Sequence, residues 1–291
     1  MRWILSLLAI VAASAAANPL PIVSDLLHTR FMLEQDEPSV WSKDVQFAFL
    51  PEGASVRSVY KNGDEIVGER RFGDVELYGA LAILEVRGIG TIPLGSNDGP
   101  RSIEFFVDDQ LVYTLGFTLT KETTGDAFSP RTLWRIAGPW SDLAYFTYDP
   151  ERGPGEPINL VFWVGGHEAS AGSEVVAIIR RGGAELARTA PRTVQGAGYD
   201  RFQQDLLIGD RSRMTAGELS AFDGDLTLDI EVAGTVLRSF AVWVQAGAFV
   251  PNQRSDHTAV PAASFLAPRY VVDNNQVRGG LSSQVLTWVS G

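Results

Sequence analysis

The chain of 291 residues contains no cysteine. That removes thiol nucleophiles, thiolate metal sites and the disulfide staples on which small secreted domains rely. It also removes the residue to which a bacterial lipid anchor is attached. Histidine is scarce: His28, His167 and His257 stand far apart, and none has another histidine three or four residues away. A zinc site of the His-x-x-x-His type is therefore absent. Neither a Gly-x-Ser-x-Gly nucleophile elbow nor a Gly-x-x-x-x-Gly-Lys-Ser/Thr phosphate loop occurs. Lysine is confined to Lys43, Lys61 and Lys121 among 24 basic residues. Such an arginine skew follows GC-rich coding and leans towards a bacterial source.

Positive charge is in short supply too, with 35 acidic against 24 basic residues and a net charge of −11. Nucleic acid and anionic membrane surfaces need basic patches and are poor partners for such a chain. The one sustained apolar run lies at the N-terminus, where Arg2, the stretch Trp3 to Ala13 and Ala15-Ala16-Ala17 have the layout of a cleavable secretory signal. Residues 1–17 are expected to be that signal, since the run is shorter than the ~20 residues of a spanning helix. The mature chain is expected to cross the cytoplasmic membrane, to reside in the periplasm or outside the cell, and to fold by core burial alone.

What is present is a duplication. Residues 98–120 overlay residues 223–245 without a gap, 125 positions apart. Ile103, Phe105 and Val107 meet Leu228, Ile230 and Val232; Leu111, Leu115, Phe117 and Leu119 meet Val236, Phe240, Val242 and Val244. Apolar residues at every second position give a strand with one buried face, so each copy predicts a β-hairpin. The turns are Asp108-Asp109-Gln110 and Ala233-Gly234-Thr235. Further upstream, Leu26 to Leu33 matches Leu143 to Tyr148, and Val45 to Phe49 matches Asn159 to Trp163. Val56 to Tyr60 matches Glu174 to Ile179, and the turns Asn62-Gly63 and Gly182-Gly183 follow. No segment holds a helical period over several turns, although Met214 to Phe222 could form one short turn.

The expected fold is all-β, with two tandem antiparallel β-sandwich domains at residues 18–122 and 141–250. At the level of architecture this looks like a tandem of immunoglobulin-like or fibronectin-like domains, an analogy that transfers no functional residues. Residues 123–140 form an aromatic linker carrying Trp134 and Trp140, expected either to pack between the domains or to cap one core each. Residues 251–291 form a tail with two strand-like pieces, Arg269 to Val272 and Gln284 to Val289. It has the makings of an added strand, in this chain or on a partner.

The most reactive-looking cluster is Gly165-Gly166-His167-Glu168-Ala169-Ser170, where a histidine beside a carboxylate could move protons. No cofactor is expected, but calcium is a possible ion, since it takes oxygen ligands and often sits between loops of extracellular β domains; Asp98 and Asp223 are the better candidates because their position repeats. Trp243 falls between Val242 and Val244 and so points away from the apolar face of its strand. Candidate ligand-binding residues are thus Trp243, Trp134, Trp140, His167 and Glu168, with no catalytic residue assigned. The function expected is non-catalytic binding or structural interaction with a protein or glycan of the cell envelope. Alternatives are a carbohydrate-binding module, a periplasmic assembly chaperone offering an edge strand, and a hydrolase using His167 and Glu168.

Overall fold

A computed structural model describes residues 20–22, 29–42, 44–48, 50–78, 81–86, 90–124, 128, 131–138, 140, 144–148, 153–196, 198–209, 212–245, 248–249 and 285–288. Those residues are mostly β-strand, with almost no helix. The first half holds β1 (Leu20–Ile22), β2 (Thr29–Met32), β3 (Ser39–Ser42), β4 (Asp44–Ala48), β5 (Val56–Asn62), β6 (Glu65–Tyr78), β7 (Leu81–Val86), β8 (Ile92–Pro93), β9 (Gly99–Val107), β10 (Gln110–Thr124) and β11 (Arg131–Ala137). The second holds β12 (Ala144–Tyr148), β13 (Asn159–Gly165), β14 (Glu174–Arg181), β15 (Ala184–Thr189), β16 (Arg192–Thr193), β17 (Tyr199–Ile208), β18 (Ser212–Arg213), β19 (Gly224–Val232), β20 (Thr235–Gln245), β21 (Ala248–Phe249) and β22 (Val285–Trp288). The short turn expected after Met214 is α1 (Ala216–Leu219) with a 3₁₀ turn at Ser220–Phe222. A capping box opens it: the backbone N–H of Glu218 donates to Thr215 Oγ1, and that of Thr215 donates to the Glu218 carboxylate. Among the described residues no helix is long and apolar enough to cross a membrane.

The duplication is visible in the topology. In the first half the strands lie in the order β1-β4-β7-β6-β5-β9-β10-β11, and in the second β12-β13-β17-β15-β14-β19-β20-β21, position for position the same path. All pairings are antiparallel. Even the irregularities repeat. The β9–β10 ladder skips Val112 and the β19–β20 ladder skips Leu237, which are 125 residues apart; β5–β6 skips Val67 and β14–β15 skips Leu186, each four residues past the first turn glycine. A bulge adds a residue to one strand and sharpens the local twist, so repeating it preserves the same coiled surface.

Three sequence correspondences shift in the structure. Position in the sheet pairs β12 with β1, whereas Leu26 to Leu33 yields β2, which joins a separate sheet of order β2-β3-β8. The β4 and β13 match slips by one residue, because the inward residues are Val45 and Phe47 in β4 but Leu160, Phe162 and Val164 in β13. The linker is mostly strand: β11 pairs with β10 from Thr118–Ala137 to Thr124–Arg131. From the tail, β22 is described and lies against β12. Residues 1–17, the starts of the Leu26 to Leu33 and Leu143 to Tyr148 stretches, His28, His257 and the Arg269 to Val272 piece lie outside the described residues.

Two apolar cores form. One gathers Phe47, Tyr60, Leu84, Phe105, Leu115, Phe117 and Trp134 from the first half, and the other Phe146, Leu160, Phe162, Ile179, Leu206, Leu228 and Phe240 from the second. Strand β13 belongs to both. From Leu160 to Gly165 every residue is buried, with Leu160, Phe162 and Val164 facing the second core while Val161 and Trp163 enter the first. Full burial of one indole removes on the order of 200 Å² from water, or roughly 5 kcal/mol at about 25 cal/mol per Å². Trp163 therefore fastens the two halves with an apolar contact as fully buried as the core residues around it.

A cleft at the junction of the two halves

The loop that follows β13 is shaped by its two glycines. The backbone N–H groups of Glu168 and Ala169 both donate to Gly165 O, at 2.8 and 3.2 Å, closing a tight turn. A Cβ on Gly165 would sit 2.4 Å from the His167 ring, so only glycine lets the imidazole fold back over the strand end. There His167 meets the Tyr199 ring edge-on, at 5.5 Å and 73°. Gly166 is held from both sides. Its N–H donates to Gly198 O at 2.6 Å, and its carbonyl accepts from Arg135 Nη1 at 2.5 Å. Arg135 lies on β11, so this bond ties the second half's loop to the first half's edge strand.

Between that loop and the edge strands opens a cleft of about 420 Å³, with Thr120, Glu122, Arg135 and Ala137 on one wall and residues 166–170 on the other. Its charges are already matched. Arg135 Nε donates to Glu122 at 2.7 Å. Glu168 Oε2 accepts the Gly165 N–H at 2.6 Å and lies 3.3 Å from Arg238 Nη2, both side chains being largely buried. Arg238 also donates to Trp163 O at 2.7 Å, joining β20 to the end of β13. In the 125-residue overlay Arg238 takes the place of Tyr113, a buried core residue, so this pair exists in one copy alone. Glu168 is thus engaged in holding the loop closed, while His167 is exposed at the cleft wall. The arrangement offers a preformed polar groove with a histidine on its rim, and its carboxylates are bound to arginines rather than to the imidazole.

The other sequence candidates separate. Trp134 and Trp140 are both wholly buried, so neither ring faces solvent. Trp134 Nε1 donates to Gln35 O at 3.0 Å, and Trp140 packs among Phe31, Phe117 and Tyr199. Since Tyr199 lies on β17, Trp140 does pack between the halves, and the Tyr199 hydroxyl strengthens the joint by accepting from Gly138 N at 3.0 Å. Trp163 is buried too, in the core of the first half rather than of its own. Trp243 is 42% exposed on the outer face of β20. Its neighbours there are Ala241 and Gln245, with Asp225 opposite, so among the described residues of β19 and β20 it stands as a single ring. Asp98 accepts the Lys121 N–H at 2.6 Å, and Asp223 sits in the other half with its carbonyl bound by Arg181. Among the described residues no group of three or more His, Cys, Asp or Glu is placed to hold a metal ion.

No family model matches this chain, and no curated protein matches it.

A second cleft, of about 330 Å³, lies beside β17 and was missed in the sequence. Its lining includes Asp200, Gln203 and Gln204 of β17, polar residues that the alternating pattern alone does not place. In fact Gln204 shares the inward face with Phe202 and Leu206 and is 8% exposed. The signal available was the run Gln203-Gln204-Asp205, in which one glutamine of an adjacent pair must point inward.

Proposed function

We propose that the protein is a secreted, non-catalytic binding protein of the cell envelope or extracellular space, built from two tandem β-sandwich domains of the immunoglobulin or fibronectin kind. Supporting the architecture is the common strand path, in which the third, sixth and seventh strands of the main sheet (β5, β9 and β10; β14, β19 and β20) lie side by side in each half, as in such sandwiches. The observation that carries the functional reading is the junction cleft. Its walls come from both halves, its charged groups are paired, and the buried contacts of Trp163, Trp140 and Tyr199 fix its shape. A rigid groove of matched charge suits recognition, because little ordering entropy remains to be lost when a partner docks. Acid/base work, by contrast, asks for a carboxylate or imidazole held against the reacting group.

The test is retention of the mature protein on envelope material from the cells that make it. Saturable retention should fall at least tenfold in Ala137→Trp, which fills the cleft from an exposed position on β11. Turnover of ester, glycoside or peptide substrates that disappears in His167→Ala would instead establish an enzyme and end this reading.

A further inference from the structure

We infer that the open edge of β20 is a pairing surface for a second copy of the chain, the two β20 strands running antiparallel about a two-fold axis at Ala241.

The edge is free and unguarded. One side of β20 is paired with β19 throughout, but on the other side, among the described residues, only Val244 and Gln245 are paired, with β21. Val232 and Thr235 flank a two-residue turn and so form a hydrogen-bonded pair, from which bonded and non-bonded pairs alternate along β19. Phe240 and Val242 therefore bond to β19, while Ser239, Ala241 and Trp243 turn their N–H and C=O groups to the free edge. The first half shows the same parity in use. Thr118, which overlays Trp243, faces β11, whose Trp134 N–H points the opposite way to Leu33 O at 2.9 Å. Exposed edges are ordinarily blunted by charge or proline. From Thr235 to Gln245 there is no proline, and the one charged residue, Arg238, is turned inward onto Trp163 O and Glu168.

The strand is its own complement. Setting Ala241 opposite Ala241 places Ser239 opposite Trp243 on both sides of the axis, which gives about six hydrogen bonds from three bonded pairs. The side chains of all three residues are exposed on the outer face. Each Trp243 ring then lies over Ser239 and Ala241 of the other copy, side chains small enough to admit it. The bulge at Leu237 bends each strand away where it would meet β21 of the other copy. Asp229, opposite Ser239, is already held by Arg180 and by the Ser239 hydroxyl. It stands three strand spacings, roughly 14 Å, from Asp225 of the other copy, beyond the reach of charge at physiological salt. The first half has Thr114, Gly116 and Thr118 at these positions, with no ring and with Thr118 already paired, so the surface exists in one half alone.

The experiment is sedimentation velocity of the full mature chain over a range of concentrations and salt. A reversible dimer should form with Kd on the order of 100 μM, as a small interface allows. It should tighten as salt rises, because two chains of net charge −11 repel. Ala241→Lys sets two like charges face to face and should weaken the dimer at least tenfold; Trp243→Ala should weaken it severalfold. Ala241→Glu should also fail alone, whereas an equimolar mixture of Ala241→Lys and Ala241→Glu should associate at least as tightly as wild type. That rescue reads the pairing itself and shows both variants to be folded. Ala137→Trp, in the junction cleft, should leave the dimer unchanged, so this inference and the binding reading above fail separately. A chain monomeric to about 1 mM, its edge left open or taken by its own tail or another protein, overturns the inference. So does a dimer unaltered in both Ala241→Lys and Trp243→Ala, or a mixture that does not associate.

Discussion

Single residues show where the two copies diverged under the same backbone. The β9–β10 turn has Asp108 and Asp109 at φ 47° and 64°, and the β19–β20 turn has Ala233 and Gly234 at φ 48° and 78°. Both are left-handed turns of the kind that favours Asn-Gly, and alanine there carries a Cβ the conformation disfavours. Asp108 compensates by accepting from the backbone and hydroxyl of Ser55, whereas Ala233 has its backbone N–H on Glu174 O and no side chain to add. Ala233→Asn should therefore stabilise the protein by about 0.5–1 kcal/mol, seen as a higher denaturant midpoint at unchanged slope. Gln204 gives a second stability prediction, since both polar atoms of its amide are buried with no hydrogen-bond partner. Removing two unpaired buried atoms in Gln204→Leu should leave the free protein as stable or about 1 kcal/mol more so. A large destabilisation would mean the amide is bonded in solution. Asp200 adds a pH signature, since burial, opposed by the N–H groups of Gln195 and Gly196, holds its carboxyl above the ordinary 3.8. A raised folded pKa contributes stability that is complete below pH 3.8 and lost as pH rises through the folded value. Wild type and Asp200→Asn should match in stability below that pH, with the variant the more stable at neutrality; denaturant titrations at the two pH values decide it.

Among the elements, strands with one wet face were legible and the strand with none was not. Alternation in β9, β10, β19 and β20 marks their inward residues in the sequence itself, because each of these strands has one face against a core and the other against water or charge. In β13 the run Leu160 to Val164 is apolar throughout, so the pattern carries no face, and Phe47 was matched to Val161 instead of Phe162. The loop at 165–170 stood out by its Gly-Gly-His-Glu sequence. Its fixing partners Arg135 and Arg238 lie about 30 and 70 residues away in the chain, with no local sign of the encounter. Trp163→Ala, which empties the first half's core from the second half's strand, should cost about 3–5 kcal/mol. Denaturation followed by the fluorescence of the remaining tryptophans measures it; a cost below 1 kcal/mol would show that the strand's outer face is not packed.

For the molecule as a whole, the cores are separate in residues but not in mechanics. Val161, Trp163 and Tyr199 bring the second half into the first core, and Gly138, Arg135 and Trp140 reach back. Calorimetry should therefore show one unfolding transition, with van't Hoff and calorimetric enthalpies equal. Two resolved transitions would mean that the halves melt independently. The sequence displayed the duplication clearly, since the same strand path needs the same pattern twice. The joint escaped it, because a contact made once has no second copy to be compared with.

Strand β13 also decides where the chain can be cut. Parted from the first half, the second would show Val161 and Trp163 to water as a bare apolar stripe. A fragment of the second half alone should therefore self-associate beyond what the whole chain does, and replacing both residues with polar ones should remove the excess; size-exclusion chromatography of the two fragments decides it.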